Sequence, residues 1–235
     1  MHRPRPGLPF TDNPLGDGTK RLVWTTFTAQ QVDLDVRDPA TRAYLLRVLD
    51  RLAAAGVTRV RLDAVGYAVK TQGTTSFMTP ETFAFIDEIT AWCHQRSLAV
   101  LVEVHSSYQR QIDIARQVDQ VYDFALPPLV LHAVTTGDAD PLLAPALQFW
   151  APGIPQIYYV GLLAGTDDMD LLARSNVGRD VNRHHYTREE IDSDLRRPVV
   201  AALTRLIRFR NSHPAFDGTF TVTGGVGVAR LLDQR

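Results

Sequence analysis

Apolar residues recur along this chain in alternating blocks of two kinds. In the first kind they return at helical spacing: Tyr44, Leu45, Val48, Leu49 and Leu52 share one face of a helix that starts at Asp38-Pro39 and is closed by Gly56. Thr79-Pro80 repeats the start signal for a second helix reaching about residue 96. In the second kind the apolar residues form short continuous runs. Residues 57–62, 98–104 and 118–124 read as strands, the middle one buried on both faces. Further helices are predicted over 109–117, 127–137, around Ala146 and over 195–211, with another strand over 154–159 and a loop-rich stretch over 161–183. Residues 219–222 and 227–232 read as strands of a separate β-structure. Helix–strand alternation of this kind means parallel strands joined by right-handed crossovers, an α/β fold.

Composition narrows the function classes. The 235 residues carry a formal net charge of -1, which gives no reason to expect nucleic acid or an anionic membrane as partner. The single cysteine, Cys93, sits beside Trp92 in a helical pattern, so an intrachain disulfide is impossible and a reducing, cytoplasmic setting is expected. Its expected role is that of a half-buried structural thiol. The start Met1-His2-Arg3-Pro4-Arg5-Pro6 has no apolar stretch of signal-peptide length. Adjacent His184 and His185 lack the spaced partners that metal ligation needs and read as a solvated loop, so neither a metal nor a cofactor is expected.

The chemistry concentrates in two acidic signatures, Val60-Arg61-Leu62-Asp63-Ala64-Val65-Gly66-Tyr67 and Val100-Leu101-Val102-Glu103-Val104-His105. Each ends an apolar strand on a carboxylate. In an α/β barrel, the loops at the carboxyl ends of the strands face the pocket. One Asp and one Glu held this way are the equipment of retaining glycoside chemistry, one as nucleophile and one as acid/base. On spacing alone, a carboxylate at a strand end is more often a helix cap or a salt-bridge partner than a catalytic group.

These signatures, in order with Arg3-Pro4-Arg5-Pro6-Gly7-Leu8-Pro9-Phe10, Phe77-Met78-Thr79-Pro80, Val121-Tyr122-Asp123-Phe124-Ala125-Leu126-Pro127-Pro128, Gly153-Ile154-Pro155-Gln156 and Gly178-Arg179-Asp180-Val181-Asn182-Arg183-His184, resemble the sucrose phosphorylases of the α-amylase superfamily. The resemblance implies an incomplete (β/α)8 TIM barrel over residues 1–215, with the family's fourth, fifth, sixth and eighth strands, and the beginning of a C-terminal β-domain over 216–235. It implies that the first three barrel units are absent and that a stretch near Asp140 to Ala146 lacks the seventh strand with its His-Asp pair and third carboxylate. No His-Asp dipeptide occurs in the chain. Low turnover by these 235 residues alone is the expectation, and the exposed edges of such a sheet could pair between chains into a homodimer.

By the same resemblance, Asp63 would be the nucleophile, Arg61 its hydrogen-bond partner and Glu103 the acid/base. Arg179 and Arg5 would contact phosphate, Phe27, Pro4 and Tyr67 would wall the sugar subsites, and His105 would touch the acceptor. His2 stands where the family usually carries Tyr. The reaction implied is retaining glucosyl transfer from sucrose to phosphate, giving glucose 1-phosphate and fructose without cofactor. An α-glucosidase or transglucosidase of the same superfamily, or a non-catalytic remnant, are the alternatives.

Overall fold

The computed structural model describes residues 7–103, 105–122, 143–222 and 229–232. The chain divides into two compact units, Met1–Ala125 and Leu126–Arg235.

The first unit opens with an antiparallel hairpin, β1 (Phe10–Pro14) and β2 (Lys20–Trp24), that the sequence reading did not foresee. Its turn is set by Gly18 at φ 81° and by Asp17, whose carboxylate accepts from the Thr19 amide at 2.9 Å and hydroxyl at 2.6 Å. Helix α1 (Pro39–Ala54) begins where expected: Asp38 accepts from the amides of Ala40 and Thr41 at 2.8 and 3.1 Å, satisfying donors that have no partner within the helix. Gly56 at φ 80° then turns the chain into β3 (Arg59–Leu62). Helix α2 (Pro80–His94) is capped by Thr79 and leads into β4 (Ala99–Val102); α3 (Tyr108–Ala115) leads into β5 (Gln120–Val121).

These three strands form a parallel sheet in the order β3-β4-β5, with Leu62 paired to Val102 and Val102 to Val121. Val60, Val100 and Val102 are buried in a core with Phe85, Ile86, Ile89 and Cys93 of α2, plus Leu98 and Ile114. Cys93 is fully buried rather than half-buried, and that burial pushes its thiol up to about 11, which suits a structural group and not a nucleophile. The other face is only partly covered, so β4 is buried on one face and not on both: Ala99 and Leu101 alternate with the buried valines and stay half-buried, and Arg59 and Arg61 of β3 are exposed. The polar groups of the site use this second face.

In the second unit, α4 (Leu143–Trp150) and α8 (Pro198–Ser212) pack through Trp150, whose ring stacks on Phe209 at 5.9 Å and meets Phe216 edge-on at 5.8 Å. The strand expected over 154–159 does not form. Gly153 sits at φ 118°, Pro155 offers no amide donor, and Ile154 is 70% exposed; the chain then turns directly into α5 (Tyr159–Leu162). The stretch expected to be loop carries α6 (Met169–Ser175), capped by Asp168, and a 3-10 turn over Gly178–Asn182, followed by α7 (Arg188–Asp194). Strands β6 (Thr219–Val222) and β7 (Ala229–Leu232) pair antiparallel, where β-structure was predicted. The helix foreseen over 127–137 and the junction at 140–142 lie outside the described residues.

Candidate active site

Asp63 follows the last residue of β3, and the ladder continues past the ends of the strands: the Glu103 amide donates to Leu62 O at 3.1 Å. Asp63 and Glu103 are therefore the next pair in register, on adjacent strands spaced roughly 4.8 Å apart. Arg61, two residues before Asp63, projects from the same face of β3. Its Nη2 donates to Asp63 Oδ1 at 2.5 Å and also to Glu103 Oε2. Two oxygens held by one nitrogen at such distances lie no more than about 5 Å apart, inside the roughly 5–5.5 Å separation of retaining carboxylate pairs.

The electrostatics differ across the pair. A hydrogen bond with Asp63 raises the Glu103 carboxyl above the usual carboxylate range, burial adds to this, and the Arg61 guanidinium opposes it. The Glu103 side chain is 21% exposed and that of Asp63 68%, and the partial burial of Glu103 favours its protonated form. Burial of Arg61 disfavours its charge, but Asp63 and Glu103 outweigh that and hold the guanidinium still more firmly protonated. His105 Nε2 lies 3.7 Å from Glu103 Oε1. Tyr122 was not singled out by the sequence. Its amide donates to Val102 O, continuing β5, and its ring lies 5.5 Å below the Arg61 guanidinium. Its place at the end of an apolar strand, like Asp63 and Glu103, was the available signal.

Behind Asp63 the backbone is strained. Ala64, Ser76 and Met78 have φ of 47°, 52° and 52°, a region costly for residues with a Cβ. The 3-10 turn Val65–Tyr67 depends on Gly66, because a Cβ there would meet Phe77 Cε2 at 2.8 Å and Met78 Sδ at 2.9 Å. That close approach brings the Tyr67 ring to 4.5 Å from Phe77, and Phe27 meets Tyr67 edge-on at 5.4 Å. The expected wall residues Phe27 and Tyr67 are thus together. A cavity of about 510 Å³ in this unit is lined instead by Phe10, Trp24, Asp33 and Lys70 among others, apart from the carboxylate pair.

Of the remaining expected residues, Arg5 and Pro4 lie outside the described residues. Arg179 is exposed on the Gly178–Asn182 turn of the second unit. His184 and His185 lie in a loop, as expected; His185 is exposed, while His184 is half-buried and paired, its Nδ1 bonding Asp168 at 2.6 Å and its Nε2 bonding Glu190 at 3.4 Å. Among the described residues no group of three or more His, Cys, Asp or Glu is placed to hold a metal ion.

A sucrose phosphorylase of Agrobacterium vitis is 40% identical over 311 aligned positions, covering 94% of this chain and 64% of that protein. This chain is homologous to the sucrose phosphorylases. Another, from Bifidobacterium adolescentis, is 38% identical over 95% of the chain and 62% of its own length. The crystal structure of a sucrose 6F-phosphate phosphorylase from Thermoanaerobacter thermosaccharolyticum superposes with a TM-score of 0.79 at 30% identity, covering 94% of this chain and 62% of that one. The architecture of this sucrose phosphorylase homologue is accordingly an incomplete TIM-barrel-like α/β fold. It spans less than two thirds of the length of the curated relatives it matches. Because 94% of 235 residues is about 221, an alignment of 311 positions leaves about 90 with no residue in this chain, in keeping with an internal gap. No protein-family model matches the chain, and among the described residues no helix is long and apolar enough to cross a membrane.

Proposed function

We propose that this chain carries the nucleophile and the acid/base of a sucrose phosphorylase, and that the reaction is retaining glucosyl transfer from sucrose to phosphate. The supporting observation is the convergence of Asp63 and Glu103 on a single nitrogen of Arg61. Asp63 attacks the anomeric carbon as the glycosidic bond breaks, and Glu103 gives its proton to the departing fructose oxygen. Phosphate then displaces Asp63 from the opposite face of the sugar, the one that fructose vacated, returning a proton to Glu103 and releasing glucose 1-phosphate. Two inversions give retention. Arg61 orients Asp63 throughout. Tyr67 and Phe27 wall the sugar, His105 meets the acceptor, and Arg179, with Arg5, supplies the fixed guanidinium fork that suits phosphate. In this reading β3, β4 and β5 are the fourth, fifth and sixth barrel strands, residues 1–215 belong to the barrel, β6 and β7 begin the C-terminal β-domain, and the protein works in the cytoplasm, as a homodimer if sheet edges pair.

The experiment is to incubate the chain with sucrose and phosphate and measure glucose 1-phosphate, in parallel with Asp63→Asn and Glu103→Gln. Slow formation that Asp63→Asn abolishes supports the reading, and Glu103→Gln should lose more with sucrose than with α-glucosyl fluoride, whose leaving group needs little protonation. Turnover undiminished in Asp63→Asn would remove Asp63 from the role of nucleophile.

A further inference from the structure

Lys70 lies three residues beyond Tyr67 and is not one of the groups that contact the carboxylate pair. Its ammonium is nevertheless fully engaged. Nζ pairs with Asp33 Oδ2 at 2.6 Å, donates to Thr26 Oγ1 at 3.2 Å and donates to the Tyr67 carbonyl, so each of its three protons has an acceptor. Thr26 is saturated too. Its amide donates to Asp33 Oδ1 at 3.0 Å, its hydroxyl donates to Asp33 Oδ2 at 2.5 Å, and that hydroxyl accepts from Trp24 Nε1 at 3.1 Å as well as from Lys70. The Lys70 and Asp33 side chains are only 15% and 17% exposed.

We infer that Lys70 is a positioning residue whose ammonium ties the segment carrying Phe27 to the turn carrying Tyr67, fixing the aromatic wall that leads away from Asp63. Thr26 is the neighbour of Phe27, and Tyr67 is the last residue of the 3-10 turn that follows Asp63. Neither segment is held to the other by a sheet ladder; the Lys70 contacts span 44 residues of sequence and join them. A buried ion pair is weak as a source of stability, since desolvation offsets the attraction, and its attested use is to select one arrangement among several. Here that arrangement is Phe27 edge-on to Tyr67 at 5.4 Å and 81°. The inference rests on the proposed function only in taking Phe27 and Tyr67 as the sugar wall.

The test uses the chain labelled with 3-fluorotyrosine and observed by fluorine NMR, the Tyr67 resonance being assigned by its loss in Tyr67→Phe. The double variant Lys70→Met with Asp33→Asn removes the tie without leaving an unpaired buried charge. In it the Tyr67 resonance should move toward that of free fluorotyrosine while thermal unfolding stays cooperative, and Lys70→Arg should keep the resonance in place. An unmoved resonance in the double variant, or loss of its folded state, overturns the inference. A second readout is transfer from sucrose, where the double variant should raise KM about tenfold with kcat within about threefold. Absence of any transfer in the unsubstituted chain would sink the proposed function, and the NMR result would still decide the role of Lys70.

Discussion

Replacing Arg61 by Met removes the one cation among the described residues that contacts both carboxylates, and its effect can be sized. A hydrogen bond to a charged partner contributes about 1.5–3 kcal/mol, but the Arg61 side chain is 45% exposed, so solvent screening brings the interaction with Glu103 below that range, to about 1 kcal/mol. In Glu103 two influences raise the carboxyl, its hydrogen bond with Asp63 and burial, and Arg61 is the opposing cation. Without Arg61, its titration midpoint should rise further, because the one influence named as lowering it is gone. The chain has five glutamates, few enough to follow by carbon NMR with carboxyl-labelled glutamate, Glu103 being identified through Glu103→Gln. A group whose folded value is raised contributes stability that is fully present below its unfolded value, about 4.3, and lost as pH rises through its folded value. Arg61→Met should therefore lose more stability relative to the parent at neutral pH than at pH 4. A downward or absent shift of Glu103 would refute the bridging role assigned to Arg61.

Two further outcomes are expected, one from the packing around Gly66 and one from the proposed function. Gly66→Ala should cost about 1–3 kcal/mol by overpacking against Phe77 and Met78, read as a fall of roughly 3–10 °C in Tm; an unchanged Tm would mean that the close approach is not a constraint. Arg179→Gln should weaken the response of glucosyl transfer to phosphate concentration while leaving release of glucose to water unchanged, and equal loss in both would deny it a phosphate role.

The helix starts were legible because Asp38-Pro39 and Thr79-Pro80 encode their caps locally, and the structure uses both. The three parallel strands were legible as apolar runs between those helices. Residues 154–159 looked the same by composition, but a strand exists only where a neighbour accepts its ladder, and none among the described residues does so there. The hairpin of β1 and β2 was missed although Asp17-Gly18 marks its turn, because its five-residue strands are mostly exposed and neither shows the polar/apolar alternation or continuous apolar run that signals a strand. At the site, Asp63, Glu103 and Arg61 were readable as strand-end residues. The bridging of both acids by one guanidinium depends on strand register, and the Lys70 tie depends on a contact across 44 residues that no local pattern records.

The central claim is that Asp63 becomes covalently glucosylated with Glu103 beside it. It is tested most directly by incubating the chain with 5-fluoro-α-glucosyl fluoride, whose glucosyl-enzyme accumulates because its turnover is slowed, and locating the added mass by peptide mass spectrometry. A single turnover suffices, so low overall activity does not obscure the result. The adduct is predicted on the peptide containing Asp63, absent in Asp63→Asn and still formed in Glu103→Gln. An adduct on another residue, or none after prolonged incubation of the folded chain, would contradict the account.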